Sequence, residues 1–186
     1  RYAAENGADF INCSWGGPNA GAGRDVVEYA DDQGSLVIAA AGNSNNNRRL
    51  YPAGFETVFA VAATDAQDRK AGFSSYGEWV DVSAPGVAIY STKREDTYGE
   101  MEGTSMASPH VAGVAALIKS EYPEMNNVVI RLFLRAGVDD ISEQNPNRWR
   151  DLGTGRINAF HALRAIEHPI LEMSDFVLSD DDNGND

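Results

Sequence analysis

The chain has 186 residues, of which 42% are hydrophobic, and it contains one cysteine. This length and composition fit a single domain with a substantial apolar core and exclude a disulfide framework. The net charge of −13 at pH 7 argues against a nucleic acid or a membrane as partner, because binding either one requires an excess of Lys and Arg.

Short apolar runs alternate with helical patterns in the first half of the chain. Strands are predicted at residues 10–14, 36–41, 58–64 and 80–83, and a helix at residues 25–32. Runs that are apolar throughout are typical of parallel sheets covered on both faces. We therefore predict an α/β fold with a mostly parallel sheet and helices on both faces. Cys13 lies in the first run and is expected to be a buried strand thiol.

The second half predicts a hairpin followed by helices. Residues 88–92 and 97–101 are expected to form the two arms of the hairpin. Helical spacing predicts one helix beginning at Ser105, one over residues 126–135 and one over residues 158–166, with a polar loop at residues 139–151.

The end of the chain is strongly acidic. From Glu172 onward there are six acidic residues and no basic ones. We predict a domain over residues 1–168 and an acidic linker, or the start of a following module, over residues 169–186. Residues 178–186 resemble a calcium-binding loop only loosely, since Ser179 stands where such a loop requires an acidic ligand.

Residues 103–113 read Gly-Thr-Ser-Met-Ala-Ser-Pro-His-Val-Ala-Gly and lead into the helix that begins at Ser105. N–H groups in a first helical turn have no partner within the helix, and the helix dipole is positive there. An oxyanion forming beside Ser105 would therefore be stabilised, which suits a nucleophile. Pro109 is expected within about the first turn, where its missing N–H had no partner.

A serine needs a base to become a nucleophile, and the three histidines offer no obvious one. His110 lies about 140° round the helix axis from Ser105. His161 and His168 belong to no motif, so a surface role is expected for all three. On these residues alone, Thr104 or Ser105 as an ordinary N-cap before a core helix stays open.

The whole of residues 103–113 resembles the nucleophilic-serine signature of the subtilisin-like serine proteases. Residues 39–43, Ala-Ala-Ala-Gly-Asn, resemble the family's oxyanion-hole segment, and residues 14–17, Ser-Trp-Gly-Gly, resemble its substrate-binding segment. With further stretches, the resemblance covers about residues 8–166. It implies a subtilisin-like fold and a serine endopeptidase that forms an acyl-enzyme on its polypeptide substrate.

Roles for individual residues follow from the resemblance. Ser105 would be the nucleophile and Asn43 an oxyanion donor; in subtilisin itself, loss of that donor lowers the rate by about 10²–10³. Substrate binding would fall to Ser14, Trp15, Gly16 and Gly42, with Gly16 and Gly42 leaving room for the substrate. Trp15 as a core aromatic beside a glycine turn is the alternative.

The family's catalytic order is Asp, His, Ser, and residues 1–104 contain no motif for the first two. The chain also begins at Arg1, without a Met or a signal peptide. We therefore expect the C-terminal part of a catalytic domain that lacks its N-terminal strands, inactive alone, within a secreted or cell-surface protein that can carry further domains.

No cofactor is required by this reaction and no metal ligand is assigned. The resemblance leaves room for structural calcium, which would involve backbone carbonyls of Ala53, Phe55 and Val58 and the carboxylate of Asp81. The alternative function is a non-catalytic binding or structural module that kept the scaffold and lost its upstream acid or base. Nothing in the sequence separates the two.

Overall fold

The computed structural model describes residues 1–21 and 23–167. His168, Pro169 and the predicted acidic linker lie outside these residues. The strands in chain order are β1 (Phe10–Cys13), β2 (Leu36–Ala40), β3 (Phe59–Thr64), β4 (Val82–Pro85), β5 (Ile89–Thr92), β6 (Tyr98–Met101), β7 (Val138–Asp139) and β8 (Arg156–Ile157).

Six of these strands form one sheet in the order β1-β2-β3-β4-β8-β7. The pairings from β1 through β4 to β8 are parallel, while β7 pairs antiparallel with β8. Strands β5 and β6 form a separate antiparallel hairpin, as predicted. The mostly parallel α/β fold is therefore confirmed.

Helices cover both faces of the sheet. They are α1 (Tyr2–Glu5), α2 (Gly23–Asp32), α3 (Thr104–Glu121), α4 (Asn127–Ala136) and α5 (Ala159–Glu167). Leu36 and Ile38 of β2 share a core with residues of α3, α4 and α5. The alternate residues Val37 and Ala39 share a second core with α1 and α2. Every residue of β2 and β3 is buried, as two covered faces require.

Three parts of the fold differ from the sequence prediction. Helix α1 was not predicted, and the strand predicted at residues 80–83 lies instead at Val82–Pro85. The polar loop predicted at residues 139–151 starts in β7 and ends in a 3₁₀ helix, Trp149–Asp151. Strands β7 and β8 have two residues each, too few to show a periodicity, and Arg156 of β8 is held by ion pairs to Asp68 and Asp139.

Cys13 at the end of β1 is 7% exposed, which confirms a buried strand thiol. Burial raises the pKa of this thiol above its ordinary value. The thiol therefore stays protonated and is a poor nucleophile. Among the helices that the structure describes, none is both long and apolar enough to cross a lipid bilayer.

The carboxyl ends of β1 and β2 lie at the same edge of the sheet because the two strands are parallel. The chain continues from β1 into residues 14–17 and from β2 into Gly42 and Asn43. Crevices outside the carboxyl ends of parallel strands are the usual ligand sites of open α/β sheets. The fold therefore brings the two predicted segments together at such an edge.

Strand β1 is an edge strand within the described residues, with β2 as its neighbour. Beside it lies an open cavity of about 490 Å³, lined mainly by apolar residues that include Ile11, Trp15, Val26, Val27 and Phe55. Trp15 is 66% exposed and Val26 is 40% exposed. An unpaired edge next to open apolar surface is a template for association with another chain.

A polypeptide of residues 1–186 produced alone is therefore expected to aggregate, or to exchange the amide hydrogens of β1 much faster than those of the central strand β3. Hydrogen exchange followed by mass spectrometry, together with light scattering, would measure both effects. A soluble monomer that unfolds cooperatively and protects β1 as well as β3 would contradict this expectation.

Candidate active site

Ser105 is the second residue of α3, which confirms the predicted helix start. Its side chain is partly buried, and its hydroxyl donates to the backbone carbonyl of Ser14 at 2.9 Å. Its backbone N–H donates to no acceptor among residues 1–21 and 23–167. The positive end of the helix dipole and a free N–H therefore meet beside the Ser105 hydroxyl.

Asn43 follows β2 and lies directly against the same helix start. Its Oδ1 accepts two hydrogen bonds from Thr104, one from the backbone N–H at 2.9 Å and one from the hydroxyl at 2.8 Å. The Thr104 N–H can only donate, so the amide atom facing it must be the oxygen. This fixes the orientation of the amide and leaves its NH₂ group without an acceptor in the described part of the chain.

Gly103 allows the helix start and Asn43 to approach each other. Its φ is +145°, in a region that favours glycine. A Cβ atom on Gly103 would lie 3.2 Å from Nδ2 of Asn43 and 3.6 Å from the backbone N of Ser105. The two nitrogens thus border one small space, in which a side chain at position 103 would crowd any ligand atom.

Pro109 does not lie in the first turn, and that expectation was wrong. It is the sixth residue of α3 and is inside the helix. A backbone N–H at position 109 would donate to the carbonyl of Ser105, four residues earlier, so proline leaves that carbonyl without its helical partner. The hydroxyl of Ser14 donates to it instead, at 2.8 Å.

Residues 14–17 contact both the start of α3 and the loop before Pro52. Gly17 and Tyr51 exchange two backbone hydrogen bonds of 2.8 Å each. Trp15 is 66% exposed, so the alternative of a core aromatic is wrong. Its indole is instead available at the open side of the segment.

Leu50 occupies the space that Gly16 and Gly42 were expected to leave open. A Cβ atom on Gly16 would lie 2.8 Å from Cδ2 of Leu50, and one on Gly42 would lie 3.0 Å from the same atom. The Leu50 side chain therefore fills the crevice between the ends of β1 and β2. The expected room beside the two glycines is smaller than the sequence suggested.

Neither described histidine contacts Ser105. His110 is exposed and its Nδ1 lies 2.8 Å from the carbonyl of Met106. His161 is half-exposed and lies 3.1 Å from Asp139. The described residues therefore place the Asn43 amide and the Ser105 N–H near the Ser105 hydroxyl, but no histidine in contact with it.

Comparison with known proteins identifies the family of this chain. The model of the subtilase family of peptidases matches residues 1–155. The chain belongs to the subtilase family. This agrees with the resemblance of residues 103–113 and residues 39–43, while the roles of individual residues stay predictions.

Several subtilases are similar to this chain over most of its length. Thermitase of Thermoactinomyces vulgaris is 43% identical over 164 residues, which cover 88% of this chain and 57% of thermitase. Subtilisin DY of Bacillus licheniformis is 47% identical over 135 residues, covering 70% of this chain and 49% of that protein. The chain thus spans about half the length of the curated relatives it matches.

Solved structures show the same fold. A protease from Pseudoalteromonas arctica PAMC 21717 superposes with a TM-score of 0.78 at 33% identity, over 86% of this chain and 52% of that one. The Prenylagaramide maturation protease PagA gives a TM-score of 0.79 at 29% identity, over 88% of this chain and 63% of that one. Both share the arrangement of sheet and helices described above.

The four residues that the resemblance offers for structural calcium line one cavity. They are Ala53, Phe55, Val58 and Asp81, and Arg135 lines the same cavity. The Asp81 carboxylate is 7% exposed, accepts the Ala60 N–H at 2.6 Å and is paired with Arg135. A guanidinium thus already neutralises the one charged donor of the set, so the set fits a divalent cation poorly. No metal-binding cluster of three or more His, Cys, Asp or Glu side chains occurs elsewhere among the described residues.

Some residues that shape the candidate site or the cavity beside Asp81 were not predicted from the sequence. Thr104 was considered only as an N-cap, although it holds the Asn43 amide. Leu50 lies in a loop without a motif, and no sequence signal indicates that it reaches two glycines. Arg135 could have been found as a cation near the end of a helix, but its partner Asp81 is 54 residues away.

The ion pair between Arg135 and Asp81 gives a pH-dependent prediction. Burial raises the pKa of Asp81 above its ordinary value of 3.8, although the hydrogen bonds and charge of Arg135 act in the opposite direction. Replacing Arg135 with Gln should raise that pKa further. The substitution should lower the stability of the full-length protein by about 1–3 kcal/mol at pH 8, less than for a fully buried pair because Arg135 is half-exposed.

The loss should shrink as the pH falls. A carboxylate whose pKa is raised in the folded state binds a proton more readily there than in the unfolded state, so acidification through the raised pKa removes the unpaired charge. Thermal unfolding of the wild-type and Arg135→Gln proteins at pH 8 and pH 5 would measure this. Arg24→Gln, in an exposed pair with Glu28, is the control with little expected effect. An equal loss for Arg135→Gln at both pH values would contradict the prediction.

Proposed function

We propose that the full-length protein that carries this chain is a serine endopeptidase, which hydrolyses polypeptides through an acyl-enzyme on Ser105. The supporting observation is the fixed Asn43 amide, whose NH₂ group and the free Ser105 N–H border one space beside the Ser105 hydroxyl. Two convergent N–H donors next to a nucleophile are what an acyl-transfer site needs.

The reaction follows from these positions. The Ser105 Oγ attacks the carbonyl carbon of a peptide bond, and a base takes the hydroxyl proton. The carbonyl oxygen becomes an oxyanion that accepts hydrogen bonds from Asn43 and from the Ser105 N–H. The protonated base then gives its proton to the leaving amine, and a water molecule hydrolyses the ester on Ser105 by the same sequence of steps.

The base and its orienting acid are proposed to be a His and an Asp from a part of the protein upstream of Arg1. The described histidines do not contact Ser105, and the family's order of Asp, His and Ser supports this assignment. Residues 1–186 alone are therefore expected to be almost inert. The family also supports a secreted or cell-surface location, as does the acidic segment after Glu172, and no organic cofactor takes part in the steps above.

A fluorophosphonate probe tests the proposal directly, because it labels a serine only where that serine is activated. The full-length protein should be labelled and should cleave an unstructured polypeptide. Ser105→Ala should abolish both activities. Ser120→Ala is the matched control, because Ser120 lies on the same helix and its hydroxyl donates to Leu117 at the far end.

Absence of labelling and cleavage by the folded full-length protein would favour the alternative, a non-catalytic module on a subtilase scaffold. Labelling that survives Ser105→Ala would place the activity elsewhere. Either result would reject the proposed role of Ser105.

Leu50 gives the proposed enzyme a preference for small side chains. If the carbonyl oxygen lies between Asn43 and the Ser105 N–H, the residue on the acyl side of the cut bond lies over the crevice between the ends of β1 and β2. Leu50 fills that crevice against Gly16 and Gly42. Ala or Ser should therefore be accepted there and Phe or Tyr rejected, since overpacking costs about 1–3 kcal/mol.

Leu50→Ala should enlarge the crevice and change this preference. We expect the ratio of kcat/KM for a Phe peptide to that for the matching Ala peptide to rise by at least about tenfold. Leu50→Met conserves volume and should leave the ratio nearly unchanged. The size preference is wrong if the wild-type enzyme already favours Phe, or if Leu50→Ala does not alter the ratio.

A further inference from the structure

Ser14 and Ser105 are joined by two reciprocal hydrogen bonds. The Ser105 hydroxyl donates to the Ser14 carbonyl at 2.9 Å, and the Ser14 hydroxyl donates to the Ser105 carbonyl at 2.8 Å. The first bond must break when the Ser105 hydroxyl gives its proton to a base. The second can persist through that step, because it uses the carbonyl and not the hydroxyl of Ser105.

The carbonyl of Ser105 is free for this bond because of Pro109. Proline at position 109 has no N–H to donate to the carbonyl four residues earlier, and its ring crowds that carbonyl out of the helical direction. Pro109 lies within α3, and the rest of the helix continues to Glu121. Pro109 thus leaves the Ser105 carbonyl without its helical donor, and the Ser14 hydroxyl donates to it instead.

Two further side chains orient the Ser14 hydroxyl. Ser108 is fully buried and donates to Oδ1 of Asn12 at 2.6 Å. Nδ2 of Asn12 donates to the Ser14 Oγ at 2.9 Å. Since the Ser14 oxygen already accepts from Asn12, its one proton is directed to the Ser105 carbonyl. All three bonds run in the same direction, from Ser108 through Asn12 and Ser14 to Ser105, an arrangement in which each bond polarises the next.

We propose that Ser14, oriented by Asn12 and Ser108, is a positioning residue for the nucleophile, because its hydroxyl replaces the helical hydrogen bond that Pro109 removes from Ser105. This inference rests on the proposed function of Ser105. During attack, when the Ser105 hydroxyl has left the Ser14 carbonyl, the remaining bond keeps residue 105 in register with residues 14–17. Its loss should therefore affect the chemical step more than the binding of substrate.

A double-mutant cycle in the full-length protein tests this, using Ser14→Ala, Pro109→Ala and the double variant. Ser14→Ala should lower kcat and the rate of fluorophosphonate labelling by about tenfold with little change in KM, as expected for one hydrogen bond. Alanine at position 109 supplies an N–H that can donate to the Ser105 carbonyl from within the helix. In the Pro109→Ala background, Ser14→Ala should therefore lower both rates by at most about twofold.

Two controls separate this role from a general loss of structure. Ser14→Thr retains a hydroxyl and should recover most of the lost rate. Ser120→Ala removes another serine of α3 that donates to a carbonyl and should change neither rate. The midpoint of thermal unfolding of the four proteins in the cycle should show the same coupling, since Ser14→Ala should lower it more in the wild-type background than in the Pro109→Ala background.

The outcomes are distinct for the two proposals. The positioning role is wrong if the wild-type protein is active and Ser14→Ala does not lower kcat, or lowers it equally with Pro109 and with Ala at position 109. The proposed function would still stand. A wild-type protein that neither cleaves nor labels would overturn both, and the unfolding cycle would then report a hydrogen bond without a catalytic use.

Discussion

The packing of α3 across the parallel sheet is the constraint on which the site depends. Ala107, Val111, Ala115 and Ile118 of this helix are fully buried against the strands. Their burial fixes the rotation of the helix about its axis and its position along that axis. Its first turn therefore lies at the carboxyl ends of β1 and β2. Ser105, Asn43 and residues 14–17 converge because β1 and β2 end where α3 begins, although the three segments are far apart in the sequence.

The parts of the fold predicted from the sequence are those with a strong local signal. Strands β2 and β3 are buried at every position, so their apolar runs were sufficient to predict them. The apolar face of α3 likewise predicted that Ser105 lies at a helix start. Strands β7 and β8 depend on ion pairs of Arg156 with Asp68 and Asp139, and such distant contacts leave no pattern in a short segment. The local rules for proline likewise failed at Pro109, because the carbonyl it releases is satisfied by a residue 91 positions away.

Long-range contacts also determine the part of the candidate site that the sequence did not predict. Motifs located Ser105, Asn43 and the segment at residues 14–17, and the structure brings all three together. The shape of the space between them depends on Leu50, whose position follows from the pairing of Gly17 with Tyr51. Glycines in a sequence indicate that room is available, but they do not show which neighbour uses it. The size of a pocket therefore depends on long-range contacts, even when its walls can be recognised from motifs.

The hydrogen bond from Ser105 to the Ser14 carbonyl holds the side chain that we propose as the nucleophile. In this state the hydroxyl proton is directed at a carbonyl oxygen that cannot take it, so the serine is unreactive. A base that replaces the Ser14 carbonyl as acceptor offers a hydrogen bond of similar strength, and exchanging one such bond for another costs little net free energy. The contact therefore fixes the side-chain rotamer at low cost to the later proton transfer. It also means that the proposed reactivity of Ser105 depends on the proposed upstream base, since the described residues already satisfy the hydroxyl without one.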